Sequence, residues 1–165
     1  MQSPICEICL KSDILCGACK EKFDSGATTQ LEIDISRFLF NLAGKVKSLA
    51  DIKILKVFDF KLIIIITARG DGAKIVGRGG SIVKVLAKKF KKPIKVIEHS
   101  QFKEFIQNLL QPVSFLGVNT VYTLNGEFYK VRIAEAQQAR LQFSQEEFSE
   151  IIKALYGCKT ELSFE

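Results

Sequence analysis

The chain has 165 residues, room for one or two domains, and its 47% hydrophobic and 25% charged content excludes a disordered polymer. Its longest apolar run, residues 62–66, is far too short to cross a bilayer. The net charge of +6 is unevenly placed: residues 31–100 hold 15 Lys and Arg against 6 Asp and Glu (+9), while residues 1–30 carry −1 and residues 101–165 carry −2, so only the middle segment suits a polyanion.

The opening "MQSPICEICLK" has neither signal-peptide nor transit-peptide architecture, and a soluble, cytoplasmic protein without membrane partners is expected. Cys6-x-x-Cys9 and Cys16-x-x-Cys19 place four of the five cysteines within fourteen positions. Two such knuckles present four thiolates, the donor set of a closed tetrahedral zinc site. Residues 1–25 are therefore expected to be a four-cysteine module holding one structural Zn(2+). Iron shares this ligand preference. A redox dithiol at Cys16 and Cys19 lacks the strand-to-helix setting it needs, and paired disulfides lack an oxidising compartment.

Residues 23–30, "FDSGATTQ", read as a linker. Apolar residues Ile35, Phe38, Leu39, Leu42, Val46 and Leu49 recur at helical spacing over 34–49, with Asp34 or Ser36 as the cap. Residues 51–60 and 61–68 read as two strands, the second β-branched and apolar enough to be covered on both faces. A short helical turn, "GDGAKIV", leads into Gly77-Arg78-Gly79-Gly80. The helix after it sets Ile82, Val83, Leu86 and Phe90 against Lys84, Lys88, Lys89 and Lys91, and stops at Pro93 before a third strand.

Residues 102–112 read as a connecting helix, and two strands then meet at Asn125-Gly126, a two-residue hairpin signal. A short helix follows over 135–143. Ser144 and Glu147 open the next one as a capping box, and Gly157 closes it before a last strand. The second half repeats the element order of the first, with "LQFS" where the glycine loop would stand. Three divisions result: the module over 1–25, a unit over 31–100 holding the loop, and a degenerate unit over 101–165 without it.

The loop is not a nucleotide site. Arg78-Gly79 stands where a Walker A loop requires Lys-Ser/Thr, and the dinucleotide fingerprint is absent. A Gly-x-x-Gly between two helices can instead turn backbone N–H groups toward a sugar-phosphate chain, with Arg78 adding a charge-assisted contact and the adjoining apolar groove taking unstacked bases. No carboxylate pair, Ser/His/Asp arrangement or open metal site appears, so a binding protein rather than an enzyme is expected, and no nucleotide cofactor.

Residues 72–100, with "FKEFIQNLLQPV" after them, resemble a type-II KH domain, closest to the archaeal NusA-like transcription factors with two such domains in tandem. The resemblance implies an α+β fold: a small zinc knuckle or ribbon, then two KH-like units with three-stranded sheets, the second degenerate. It implies that Ile75, Gly77, Arg78, Gly79, Gly80 and Ile82 contact single-stranded RNA. Charge and helical spacing extend the set to Lys74, Lys84 and Lys88. The implied role is in transcription elongation or termination, with RNA polymerase as protein partner. The alternatives are a ribosome-associated protein on ribosomal RNA and a protein-interaction adaptor with a vestigial loop. In the degenerate unit, a scaffold role weighs against weak RNA contact through Lys130, Arg132 and Arg140.

Overall fold

A computed structural model describes residues 1–165. The architecture is α+β: seven α-helices and two three-stranded sheets, with a cysteine cluster at the N-terminus. No helix is long and apolar enough to cross a membrane. The chain divides into two compact units, Met1–His99 and Ser100–Glu165.

The first unit opens with α1 (Glu7–Lys11) and α2 (Gly17–Asp24), which carry the cysteines, followed by α3 (Gln30–Ala43). Of the expected linker over 23–30, Phe23 and Asp24 close α2 and Gln30 opens α3, while residues 25–29 connect the two helices. Thr29, not Asp34 or Ser36, caps α3: its hydroxyl accepts from the Glu32 N–H at 3.3 Å, and the Glu32 carboxylate takes the Thr29 N–H at 2.8 Å, a reciprocal capping box. Helix α3 also stops earlier than its periodicity suggests, and a 3-10 turn at Lys47–Leu49 follows.

The sheet has the order β1-β2-β3, built from β1 (Ile54–Asp59), β2 (Ile63–Thr67) and β3 (Ile94–Glu98). Strand β1 runs antiparallel to β2, and β3 parallel to it. Between β2 and β3 lie α4 (Gly72–Val76) and α5 (Ser81–Phe90), joined by the glycine loop. Every residue of β2 is buried, as its unbroken apolar run requires. Ile35 and Leu39 of α3, Ile63 and Ile65 of β2, and Ile75, Ile82 and Leu86 of the loop-flanking helices form one core on one sheet face.

Helix α3 serves a second core. Ile33 packs with Ile5, Cys9, Leu10 and Cys19, and Phe40 borders the same cluster. The cysteine module is thus built on the back of α3. Gln2 extends it further, pairing with Lys53 at the edge of the β1 sheet through the Gln2 N–H to Ile52 C=O bond (2.8 Å) and the Ile54 N–H to Gln2 C=O bond (2.9 Å).

The second unit holds α6 (Phe102–Leu110), a hairpin of β4 (Phe115–Thr123) and β5 (Gly126–Ile133), a 3-10 segment at Glu135–Arg140, α7 (Gln145–Tyr156) and β6 (Thr160–Phe164). Its sheet order is β4-β5-β6, antiparallel then parallel. Phe105, Ile106, Leu109, Val131, Ile133, Phe148, Ile151 and Ile152 are its fully buried apolar residues.

Candidate metal centre and glycine-loop site

The two knuckles have the same construction. Cys6 is the N-cap of α1 and Cys9 its third residue; Cys16 and Cys19 hold the same positions on α2. N-cap and third helical positions face one another across the first turn, as in a capping box, so each helix presents a pair of sulfurs. The main chain then ties the pairs together. The Cys6 N–H donates to Cys19 Sγ at 3.4 Å, and the Cys16 N–H donates to Cys9 Sγ at 3.1 Å. Each knuckle thereby holds the second sulfur of the other.

All four sulfurs lie within 4.8 Å of one another, with Cys6 at 3.4 Å from Cys9 and 3.8 Å from Cys16. Four sulfurs at about 2.3 Å from a central ion form a tetrahedron with edges of about 3.8 Å, so the cluster fits a tetrahedral ion. No disulfide competes for the thiols. The Cys6 thiol is drawn down to about 7, chiefly by the N–H of Cys9. The Cys16 N–H works in the same direction on Cys9, but burial and the neighbouring thiols outweigh it and push Cys9 up to about 12. Burial also raises Cys19. Without a cation the two buried sulfurs keep their protons, and a divalent ion must displace them. Arg37 of α3 closes the site from behind, its Nε donating to the Cys9 carbonyl at 3.0 Å.

At the glycine loop, Gly77 adopts φ 74°, ψ 166°, a region populated almost only by glycine. A Cβ there would sit 2.8 Å from Ile82 Cγ1 and from Ser81 Oγ. Gly79 and Gly80 follow with φ of 62° and 75°, and α5 begins at Ser81 with no side-chain cap and no acidic residue in its first turn. The Ser81 N–H is taken by the Arg78 C=O, and the next N–H groups of the first turn, unsatisfied within the helix, lie behind an exposed corner occupied by Arg78 and Gly79.

Two carboxylates absent from the sequence-derived set hold this corner. Glu98 of β3 accepts from the N–H groups of Gly70 (3.0 Å) and Gly72 (2.9 Å), an approach a Cβ on Gly72 would block at 2.8 Å. Asp71 accepts from the Lys53 N–H at 2.9 Å and from Lys74 Nζ at 2.7 Å. Burial opposes the Asp71 charge, but these donors outweigh it and hold the carboxyl below its usual range. Glu98 lies 20 or more residues from what it holds, and no local pattern reveals such a partner.

The candidate residues separate by exposure. Arg78, Gly79, Lys84 and Lys88 are exposed and in no ion pair, while the Lys74 charge is committed to Asp71. Ile75 and Ile82 point inward, 0% and 8% exposed; they anchor the loop to the core and cannot themselves meet a ligand. The apolar groups open to solvent here are Val76 and Val85, with Val83, Ile94 and Val96 half-buried between α5 and β3.

The second unit shows what the loop replaces. Ile63 pairs with Ile94 and Tyr129 with Thr160, the second pair lying 66 residues beyond the first on both strands. The same offset relates the ends of α5 and α7 and their left-handed C-caps, Lys91 and Gly157. Gly77–Gly80 therefore corresponds to Phe143–Glu146. Phe143 is buried against Phe148 at 6.1 Å, and Ser144 with Glu147 closes the α7 N-terminus in a capping box at 2.7 and 3.2 Å.

No family model and no curated protein matches the chain. Among solved structures, one described as "Crystal structure of APE1850" superposes with a TM-score of 0.57 at 16% sequence identity, over 78% of this chain and 96% of that chain. The likeness is one of fold, and this chain carries material beyond the match.

Proposed function

We propose that the chain is a single-stranded RNA-binding protein of the type-II KH kind, with the Gly77–Gly80 loop as its backbone-binding element. The observation that carries the reading is the uncapped, acid-free N-terminus of α5 behind three positive-φ glycines, with Arg78 exposed beside it. The matching helix α7 has that end closed by its own side chains. The helix-strand-strand-helix-helix-strand order, with β2 parallel to β3, supports the same reading.

Phosphates are held by the α5 N–H groups, Arg78, Lys84 and Lys88, and bases rest on Val83 and on Ile94 and Val96 at the sheet edge. Lys84 and Lys88, one turn apart without an acid between them, repel by a few tenths of a kcal/mol, which a polyanion relieves. The cysteine cluster binds one Zn(2+), which supplies folding energy to the module. By its resemblance to the NusA-like factors, the protein acts without enzymatic chemistry in cytoplasmic transcription, on RNA held near RNA polymerase.

The test is binding of a single-stranded oligoribonucleotide across a salt series. Three side-chain phosphate contacts give a slope of about −2 in log K against log salt. Arg78→Asp/Gly79→Asp, which puts carboxylates where phosphate lies, is expected to abolish binding with the fold retained. Equal binding by both proteins overturns the assignment of the loop.

A further inference from the structure

The second unit contains a groove of about 610 Å³ between α7 and β6. Strand β6 is the edge of its sheet. Gln145 spans the groove at one point, its amide accepting from the Leu162 N–H at 2.6 Å and donating to the Thr160 C=O at 3.2 Å. These are the bonds one rung of an added strand would make.

The groove's chemistry inverts that of its counterpart in the first unit. At the 66-residue offset, Gly80 becomes Glu146 and Lys84 becomes Glu150. Both glutamates are exposed, line the groove one helical turn apart, and form no ion pair. Lys153 and Lys159 lie toward the other end, and Lys159 is paired with Glu161 at 3.4 Å. Thr160 also lines the groove, 1% exposed, with its hydroxyl buried and without a partner, although buried hydroxyls are ordinarily hydrogen-bonded.

We infer that this groove docks an extended, basic segment of a partner protein, whose cations meet Glu146 and Glu150 and whose chain displaces the Gln145 amide from the Thr160 C=O and Leu162 N–H of the β6 edge and lies over the Thr160 hydroxyl. The two like-charged glutamates repel a phosphate chain and are relieved by a cation. An extended chain beside an edge strand is an established mode of peptide capture. The inference goes beyond the RNA reading and does not depend on it.

The experiment uses the full, metal-loaded chain and a fluorescein-labelled decapeptide of alternating lysine and valine, with alternating glutamate and valine as control. The lysine peptide is expected to bind, and Glu146→Lys/Glu150→Lys to weaken it at least tenfold. Glu127→Lys, on the β4–β5 hairpin and outside the groove lining, should leave binding unchanged. Thr160→Val removes only the buried hydroxyl and is expected to weaken the peptide several-fold with no loss of melting temperature. Absence of peptide binding overturns the inference, as does an equal loss in Glu127→Lys. Loss of oligoribonucleotide binding, rather than peptide binding, in Thr160→Val places RNA in the groove and overturns it as well.

Discussion

Gly77 shows most sharply how a single residue shapes the candidate site. Alanine there meets both a glycine-only backbone conformation and the Ile82 side chain at 2.8 Å, so Gly77→Ala should destabilise the chain by about 1–3 kcal/mol. Gly79→Ala, where a Cβ meets nothing within 4 Å, should cost less, and urea midpoints of the two variants give the comparison. Asp71 predicts a pH dependence. Its carboxyl is held below the usual range, so its contribution is complete above the ordinary carboxylate pKa of about 3.9 and is lost as pH falls through the lowered folded value. Asp71→Asn should therefore melt below the wild type at pH 6, with the gap narrowing toward pH 3. The glycines and Arg78 were legible as a loop because their spacing is local. That Ile75 and Ile82 face inward was not, since it depends on how α4 and α5 roll against a sheet built from strands on both sides of them in sequence.

Among the elements, the contrast between capped and uncapped helices carries the argument. The α7 capping box was legible because Ser144 and Glu147 directly precede a clean apolar stripe. Thr29-x-x-Glu32 is the same signature at α3, yet it sits at the end of the Gly/Ser/Thr cluster read as a linker, ahead of the apolar stripe counted from Ile35. Glu32 is also fully buried, and its second oxygen accepts from the Val57 N–H at 3.0 Å. A buried carboxylate satisfied by a strand 25 residues away leaves no trace in a local pattern. Thr29→Ala should cost about 1 kcal/mol, read from the denaturation midpoint. Glu32→Ala should cost more, because it also orphans the buried Val57 N–H.

For the molecule as a whole, the metal centre matters through α3, whose two faces serve the module and the sheet. The four cysteines were fully legible from spacing alone. Their seat on Ile33 and Arg37 was not, because periodicity cannot say that a helix has two buried faces. Chelation should melt α1 and α2 and lower the thermal midpoint of the unit that contains them, seen as lost helical circular dichroism and faster amide exchange in α3. With Cys9 and Cys19 raised, metal uptake displaces protons. Apparent affinity should thus fall as pH drops from 7.5 to 5.5, and zinc added to the metal-free protein in weak buffer should acidify it. Retention of metal independent of pH in this window would count against thiolate ligation.

The constant 66-residue offset has an evolutionary consequence. From β2 to β3 and from β5 to β6 the two halves match in length, the pattern an internal duplication leaves, while they differ in charge. Lys84 against Glu150 is a single replacement within matching helices, whereas Arg78 against Ser144 comes with a different backbone, positive-φ glycines in one unit and a capping box in the other. Charge can thus differ between the two units at matched positions while the strand pairing stays the same.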